Sequence, residues 1–143
     1  MRVTVEHRLP HSADRVFAVL SDPARRPEWQ ENTSDVRIEG PLPVAVGTRW
    51  TEEQRGVGHV EAEVTELEPG RRYAERGDTS SGKAQVTVTF APDGDDATLL
   101  TMEVELNLRG LKKAFEPALG PMVRAQLPKD LERLGAILDG EAG

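Results

Sequence analysis

Apolar and polar positions alternate along residues 2–9. Val3, Val5, His7 and Leu9 fall on one face, and Arg2, Thr4, Glu6 and Arg8 on the other. A period of two marks a half-buried strand. The period then changes. Ser12 offers a helix N-cap, and Val16, Phe17 and Leu20 form the apolar stripe of a short helix. Asp22-Pro23 ends that helix, because the residue before proline avoids the helical region. Pro27 bounds a second short helical turn, with Trp29 as its packing anchor.

From Val36 to Leu108 the pattern is one of hairpins. Val36 and Ile38 mark one strand, and residues 47–55 and 59–67 pair across Gly56 and Gly58. Glu68-Pro69-Gly70-Arg71 fits a type II turn, with proline presetting the first central position and glycine supplying the positive φ of the second. Strand 72–76 follows, then a loop over Gly77–Gly82. Strand 83–91 sets Ala84, Val86, Val88 and Phe90 against Lys83, Gln85, Thr87 and Thr89. After the Asp93-Gly94 turn, strand 97–108 carries Leu100, Met102, Val104, Leu106 and Leu108 on one face.

The remainder is helical, chiefly over residues 122–138. Phe115, Leu119, Met122 and Gln126 share one stripe, and Leu127, Leu131, Leu134 and Leu138 another. Pro128 should kink the helix or reset its phase, and Gly120-Pro121 should break it earlier. The order is strand, two short helices, six strands, long helix. An antiparallel sheet of seven strands with one apolar face must curl around something, and the last helix is the long element available. The expected class is α+β: a curved seven-stranded antiparallel sheet wrapped on a C-terminal helix, in one domain over 1–143, enclosing a pocket for an organic small molecule.

The chain is long enough, at 143 residues, to bury a core without staples. It has no cysteine, which removes disulfides, thiolate zinc sites and thiol catalysis. Lys and Arg number 18 against 25 Asp and Glu, a net charge of −7. That balance disfavours nucleic acid and anionic membrane surfaces. The basic pairs Arg25-Arg26, Arg71-Arg72 and Lys112-Lys113 read as solvated surface. No apolar run is long enough to span a membrane and the N-terminus has no signal core, so a cytoplasmic protein without membrane insertion is expected, as monomer or homodimer.

Several segments together carry a resemblance: Ala13-Asp14-Arg15-Val16-Phe17-Ala18-Val19-Leu20-Ser21-Asp22-Pro23, then Pro27-Glu28-Trp29, Val46-Gly47-Thr48-Arg49-Trp50, Val64–Arg72 and Asp130–Leu134. Over essentially its whole length the chain resembles the START-like, helix-grip superfamily, and within it the polyketide cyclase/dehydrase and lipid-transport group. The resemblance implies the strand order 1-7-6-5-4-3-2 and a helix gripped by the sheet. It also implies a ligand among lipids, polyketides, hormones or flavonoids, with cyclisation or dehydration in a minority of members. Its motifs are structural, so no catalytic residue is carried over.

Hairpin arithmetic suggests which side chains face inward. Setting Gln54 opposite Val60 places Glu52 opposite Ala62 and Trp50 opposite Val64, and cross-strand partners share a face. Trp50, Glu52 and Gln54 then point into the cavity, with Tyr73 and Glu75 beyond the Pro69-Gly70 turn. A one-residue bulge would invert the assignment. Glu52 and Glu75 are the sharpest candidates for a general acid or base, since an unpaired carboxylate on an apolar face is costly to bury. The alternative is a solvated sheet edge or pairing with an arginine. Both glutamates are expected to tolerate replacement by glutamine without loss of fold. His7 is either a ligand anchor or a satisfied core histidine, and His11 and His59 read as surface.

Val88, Phe90, Met102, Phe115, Leu119, Met122 and Gln126 complete the candidate lining, each with ordinary core or surface packing as its alternative. No metal spacing, nucleophile elbow or phosphate loop occurs, and no cofactor is implied. Residues 111–122 carry apolar Leu111, Phe115, Leu119 and Met122 among Gly110, Pro117, Gly120 and Pro121. They read either as a mobile apolar flap or as a fixed irregular turn. The leading function is binding of a hydrophobic, partly polar small molecule, lipid or polyketide-like. The alternatives are a cyclase or dehydratase using Glu52, Glu75 or His7 as base, and an interaction protein.

Overall fold

The computed structural model describes residues 1–142. Strand β1 (Arg2–Leu9) leads into helix α1 (Ala13–Leu20), a 3-10 turn (Pro23–Arg25) and the one-turn helix α2 (Arg26–Trp29). Six strands follow: β2 (Thr33–Glu39), β3 (Arg49–Gln54), β4 (Gly58–Glu68), β5 (Arg72–Thr79), β6 (Gly82–Pro92) and β7 (Thr98–Leu108). A 3-10 segment (Gly110–Phe115) then enters helix α3 (Glu116–Ala142). The strands form one antiparallel sheet in the order β1-β7-β6-β5-β4-β3-β2. Seven antiparallel strands and a long C-terminal helix make this an α+β helix-grip fold.

Local chemistry accounts for the short elements. The Ser12 hydroxyl accepts from the Arg15 amide and caps α1, as its sequence position predicts. Asp22 caps the following 3-10 turn through the Ala24 amide. Gly70 has φ +73° in the Pro69-Gly70 turn, closed by the Arg71 amide on the Glu68 carbonyl. The β5–β6 loop is shorter than the composition of Gly77–Gly82 suggests. The ladder runs out to Thr79 opposite Gly82, and the Thr79 hydroxyl accepts from the Ser81 and Gly82 amides.

The core lies between the concave face of the sheet and the helices. Leu9, Val64, Val88, Leu100 and Met102 from the strands meet Val16, Phe17 and Leu20 of α1 and Leu131, Leu134 and Leu138 of α3. Gly135 sits where a side chain would press on Leu9, so its lack of one lets α3 approach β1 closely.

The expected break at Gly120-Pro121 does not occur, since α3 continues through both Pro121 and Pro128. Each proline forfeits one backbone bond, but the helix is fixed on both sides of them. Leu131, Leu134 and Leu138 are buried on one side. On the other, Glu116 accepts from the Met1 amino group and the Leu108 amide. The 3-10 segment and the first half of α3 leave apolar side chains outside the core: Leu111 is 92% exposed, Phe115 64% and Met122 66%, where a buried stripe was expected.

His11 is also placed differently from expectation. It is buried, its Nε2 2.6 Å from Asp139 Oδ1 and its Nδ1 3.0 Å from Arg15 Nη1, and it ties the end of β1 to the end of α3. His59 is exposed beside Glu53.

Candidate functional site

The inward face is set by β3, β4 and β5. Trp50 pairs with Ala62, Glu52 with Val60 and Gln54 with Gly58, two residues off the expected register. The connecting loop is only Arg55-Gly56-Val57. A shift of two preserves the face, so Trp50, Glu52 and Gln54 still share it with Val60 and Ala62. A bulge does occur, at Thr65: Val64 pairs with Glu75, but Glu66 with Ala74 and Leu67 with Tyr73. The extra residue switches the parity of β4, so Val64 and Leu67 both turn inward and bring Glu75 and Tyr73 with them.

Beneath this face lies a residue the sequence reading assigned to solvent. Arg26 opens α2, between the Pro23 turn and Pro27, and points under the sheet. Its guanidinium forms a two-bonded pair with Glu75, Nη1–Oε2 2.7 Å and Nη2–Oε1 2.6 Å, and lies 3.6 Å from Glu52 Oε1. It also stands 5.1 Å from the centre of the Trp50 ring, within reach of a cation–π attraction. The Tyr73 hydroxyl donates to Glu75 Oε1 at 3.1 Å. Trp50 Nε1 donates to Glu52 Oε1 at 2.8 Å, and Gln54 Nε2 to Glu52 Oε2 at 3.0 Å.

Burial works against the charge of Arg26, but the carboxylates of Glu75 and Glu52 outweigh it and hold the guanidinium well above its ordinary pKa. Burial, then the Glu75 carboxylate, pushes the Tyr73 phenol well up, so it stays protonated. The cluster is thus one permanent cation between two carboxylates, with every glutamate oxygen accepting a bond.

Glu52, Gln54 and Glu75 form the polar end of a cavity of about 430 Å³. Its walls are Val57 and Val60, Ala84 and Val86 of β6, Leu106 and Leu108 of β7, and Phe115 and Leu119. Lys83 and Lys112 stand in the wall as well. Behind Gln54, Glu75 and Val86, which the two spaces share, a smaller lobe of about 80 Å³ is lined by Arg26, Trp29, Gln30, Tyr73, Val88, Met102 and Leu127.

The expected lining residues therefore separate. Glu52, Gln54, Glu75, Phe115 and Leu119 stand at the larger space, and Tyr73, Val88 and Met102 at the lobe. Trp50 is buried and supports Glu52 rather than facing the space. Phe90 is in the core, its ring 5.4 Å from that of Phe17. Met122 points outward, and Gln126 is occupied by Asp130 and Glu31. His7 is half-buried opposite Leu100, at the other end of β7 from Leu106 and Leu108, and is absent from the cavity wall. Glu75 takes the arginine-paired alternative. Sequence reasoning missed Arg26 because a lone arginine pair looks like surface. The available signal was its spacing of three from Trp29, which puts both on one side of a helical turn.

Seven antiparallel strands and a long C-terminal helix define a helix-grip protein. A family model described as polyketide cyclase / dehydrase and lipid transport matches residues 1–139, and the chain belongs to that family. Among solved structures it is similar to protein MLL2253 from Mesorhizobium loti, at 23% identity and TM-score 0.74, covering 97% of each chain. It is also similar to CalU16 from Micromonospora echinospora, at 19% identity and TM-score 0.67, covering 99% of this chain and 78% of that one. A third is a point mutant of norcoclaurine synthase from Thalictrum flavum, in complex with a transition state analogue, at 14% identity and TM-score 0.72, covering 100% and 96%. At these identities the likeness is one of fold. No curated protein matches the chain.

Proposed function

We propose that the protein binds a hydrophobic, partly polar small molecule, lipid or polyketide-like, in the space between the sheet and the start of α3. One observation carries this reading. A cavity of about 430 Å³, large enough for a small organic ligand, has mostly apolar walls, with Glu52, Gln54 and Glu75 and also Thr79, Ser81, Lys83 and Lys112 as its polar lining. Apolar walls give affinity, and the polar groups give orientation. Family membership supports a ligand of this kind.

Native mass spectrometry of the purified protein, before and after organic extraction, tests the proposal. An extractable organic adduct is the expected result. The absence of any adduct, together with failure to take up hydrophobic probes afterwards, would reject it.

A second reading is catalysis of cyclisation or dehydration. It is favoured by the placement of Glu52, which is 1% exposed yet stands in the cavity wall. Glu75 is the less available of the two, because both its oxygens are held by the Arg26 guanidinium, whereas those of Glu52 accept from neutral Trp50 and Gln54.

A further inference from the structure

The total charge of the chain hides a segregation. Residues 109–129 hold five of the 18 Lys and Arg but only one of the 25 Asp and Glu. This segment carries a net charge of +4 within a chain of −7, which leaves −11 elsewhere. Its one acid, Glu116, is buried and accepts from the Leu108 amide. Arg109, Lys112, Lys113, Arg124 and Lys129 are all exposed. Among the described residues, only Arg109 of the five has a carboxylate at salt-bridge distance, Asp78 at 3.9 Å. Lys112 Nζ donates to the neutral Ser81 hydroxyl at 2.8 Å, which leaves its charge uncancelled.

The same segment carries the three most exposed large apolar side chains among the described residues, Leu111, Phe115 and Met122. Lys112, Phe115, Leu119, Met122 and Lys129 follow one another at spacings of three, four, three and seven. Such spacings place them along one side of the 3-10 segment and α3. Apolar side chains therefore stand in a row with a lysine at each end. Lys112 and Phe115 also belong to the cavity wall, so the row runs beside the cavity. The exposed carboxylate of Glu31 meets this side at Gln126, one turn beyond Met122, which centres the cationic apolar stretch on residues 109–122.

Exposed apolar side chains gain by leaving water, and cations without counter-charges gain from an anionic surface. A folded partner would need a groove shaped to Leu111, Phe115 and Met122, whereas a fluid bilayer takes them up without one. The acidic remainder of the chain does not cancel the attraction, because salt screens exposed charges beyond roughly 8–10 Å. No helix among the described residues is long and apolar enough to cross a membrane, so the contact is peripheral.

We propose that residues 109–122 form a docking surface for an anionic lipid bilayer. Leu111, Phe115 and Met122 enter the head-group layer, and Arg109, Lys112 and Lys113 meet the lipid phosphates. The proposal goes beyond the cavity reading and does not depend on it. It replaces the expectation, drawn from total charge, that anionic membrane surfaces are disfavoured.

Co-sedimentation with two kinds of vesicle tests it: phosphatidylcholine alone, and phosphatidylcholine with about 30 mol% phosphatidylglycerol, at about 0.1 M salt. Wild-type protein should partition onto the anionic vesicles at least about tenfold more strongly than onto the neutral ones. About 0.5 M salt should remove most of that difference. The double variant Leu111→Ser, Met122→Ser changes two exposed side chains that the core does not use. It should keep the wild-type urea midpoint and bind anionic vesicles roughly tenfold more weakly. Equal partitioning onto both vesicles, no partitioning onto either, or a double variant that binds as wild type does would overturn the docking surface. Tighter binding to soluble polyglutamate than to the anionic vesicles would assign the patch to an acidic protein and overturn it as well. The vesicle comparison on wild-type protein needs no variant. None of these outcomes bears on the cavity, whose test is the extractable adduct.

Discussion

Arg26 and Glu75 lie 49 residues apart in sequence and meet through two N–H···O bonds of 2.7 and 2.6 Å, buried beneath the sheet. The pair joins the one-turn helix α2 to the middle strand of the sheet, so it ties a cavity-lining carboxylate to that helix.

Glu75→Gln should therefore be costly, contrary to what the sequence alone suggests. It leaves a buried guanidinium with only Glu52 at 3.6 Å as counter-charge. Breaking a buried pair from one side typically costs about 3–5 kcal/mol. Urea denaturation should show a loss of about that size, and a loss under about 1 kcal/mol would mean that water reaches the pair.

Glu52→Gln should behave differently. A glutamine at this position can still accept from Trp50 Nε1, and its amide can donate to a reoriented Gln54 side chain. Arg26 keeps its two bonds to Glu75. Stability should change by no more than about 1 kcal/mol, while ligand affinity or turnover changes. Unchanged affinity for every ligand that wild type binds would remove Glu52 from the site.

Asp130 offers a pH test. Burial raises its pKa, against the opposing hydrogen bond from Gln126 and the weaker one from the Glu31 amide. The folded state thus binds this proton more tightly than the unfolded chain does. Its stabilising effect is full below the ordinary aspartate value and is lost as pH rises through the raised folded value. Asp130→Asn keeps an acceptor for Gln126 and avoids the buried charge. The variant should be more stable than wild type at neutral pH, and that advantage should shrink as pH falls to about 4. Urea midpoints of both proteins across this range check it. An advantage that grows in acid would contradict the assigned cause.

Much of the fold was legible in the chain. The alternation over 83–91 and 97–108 marks two long strands with an apolar face, and both form with that face on the core. Leu131, Leu134 and Leu138 mark the buried side of α3. The inward face at Glu52 survived a register error because the error was an even number of residues. The bulge at Thr65 left no trace, since Val64-Thr65-Glu66-Leu67 carries no glycine or proline to announce it. Arg26 was hidden because its burial depends on Glu75, a partner no local window contains. Met122 was misplaced because helical spacing predicts a stripe without saying where the sheet ends beneath it.

The most direct measurement is an amide and methyl NMR titration of the isotope-labelled protein with a neutral hydrophobic ligand such as benzylacetone. Binding in the cavity predicts saturable shifts at Val60, Val86, Leu106 and Leu119. Shifts confined to exposed Leu42, Val46 and Met122, or no saturable shift at all, would contradict it.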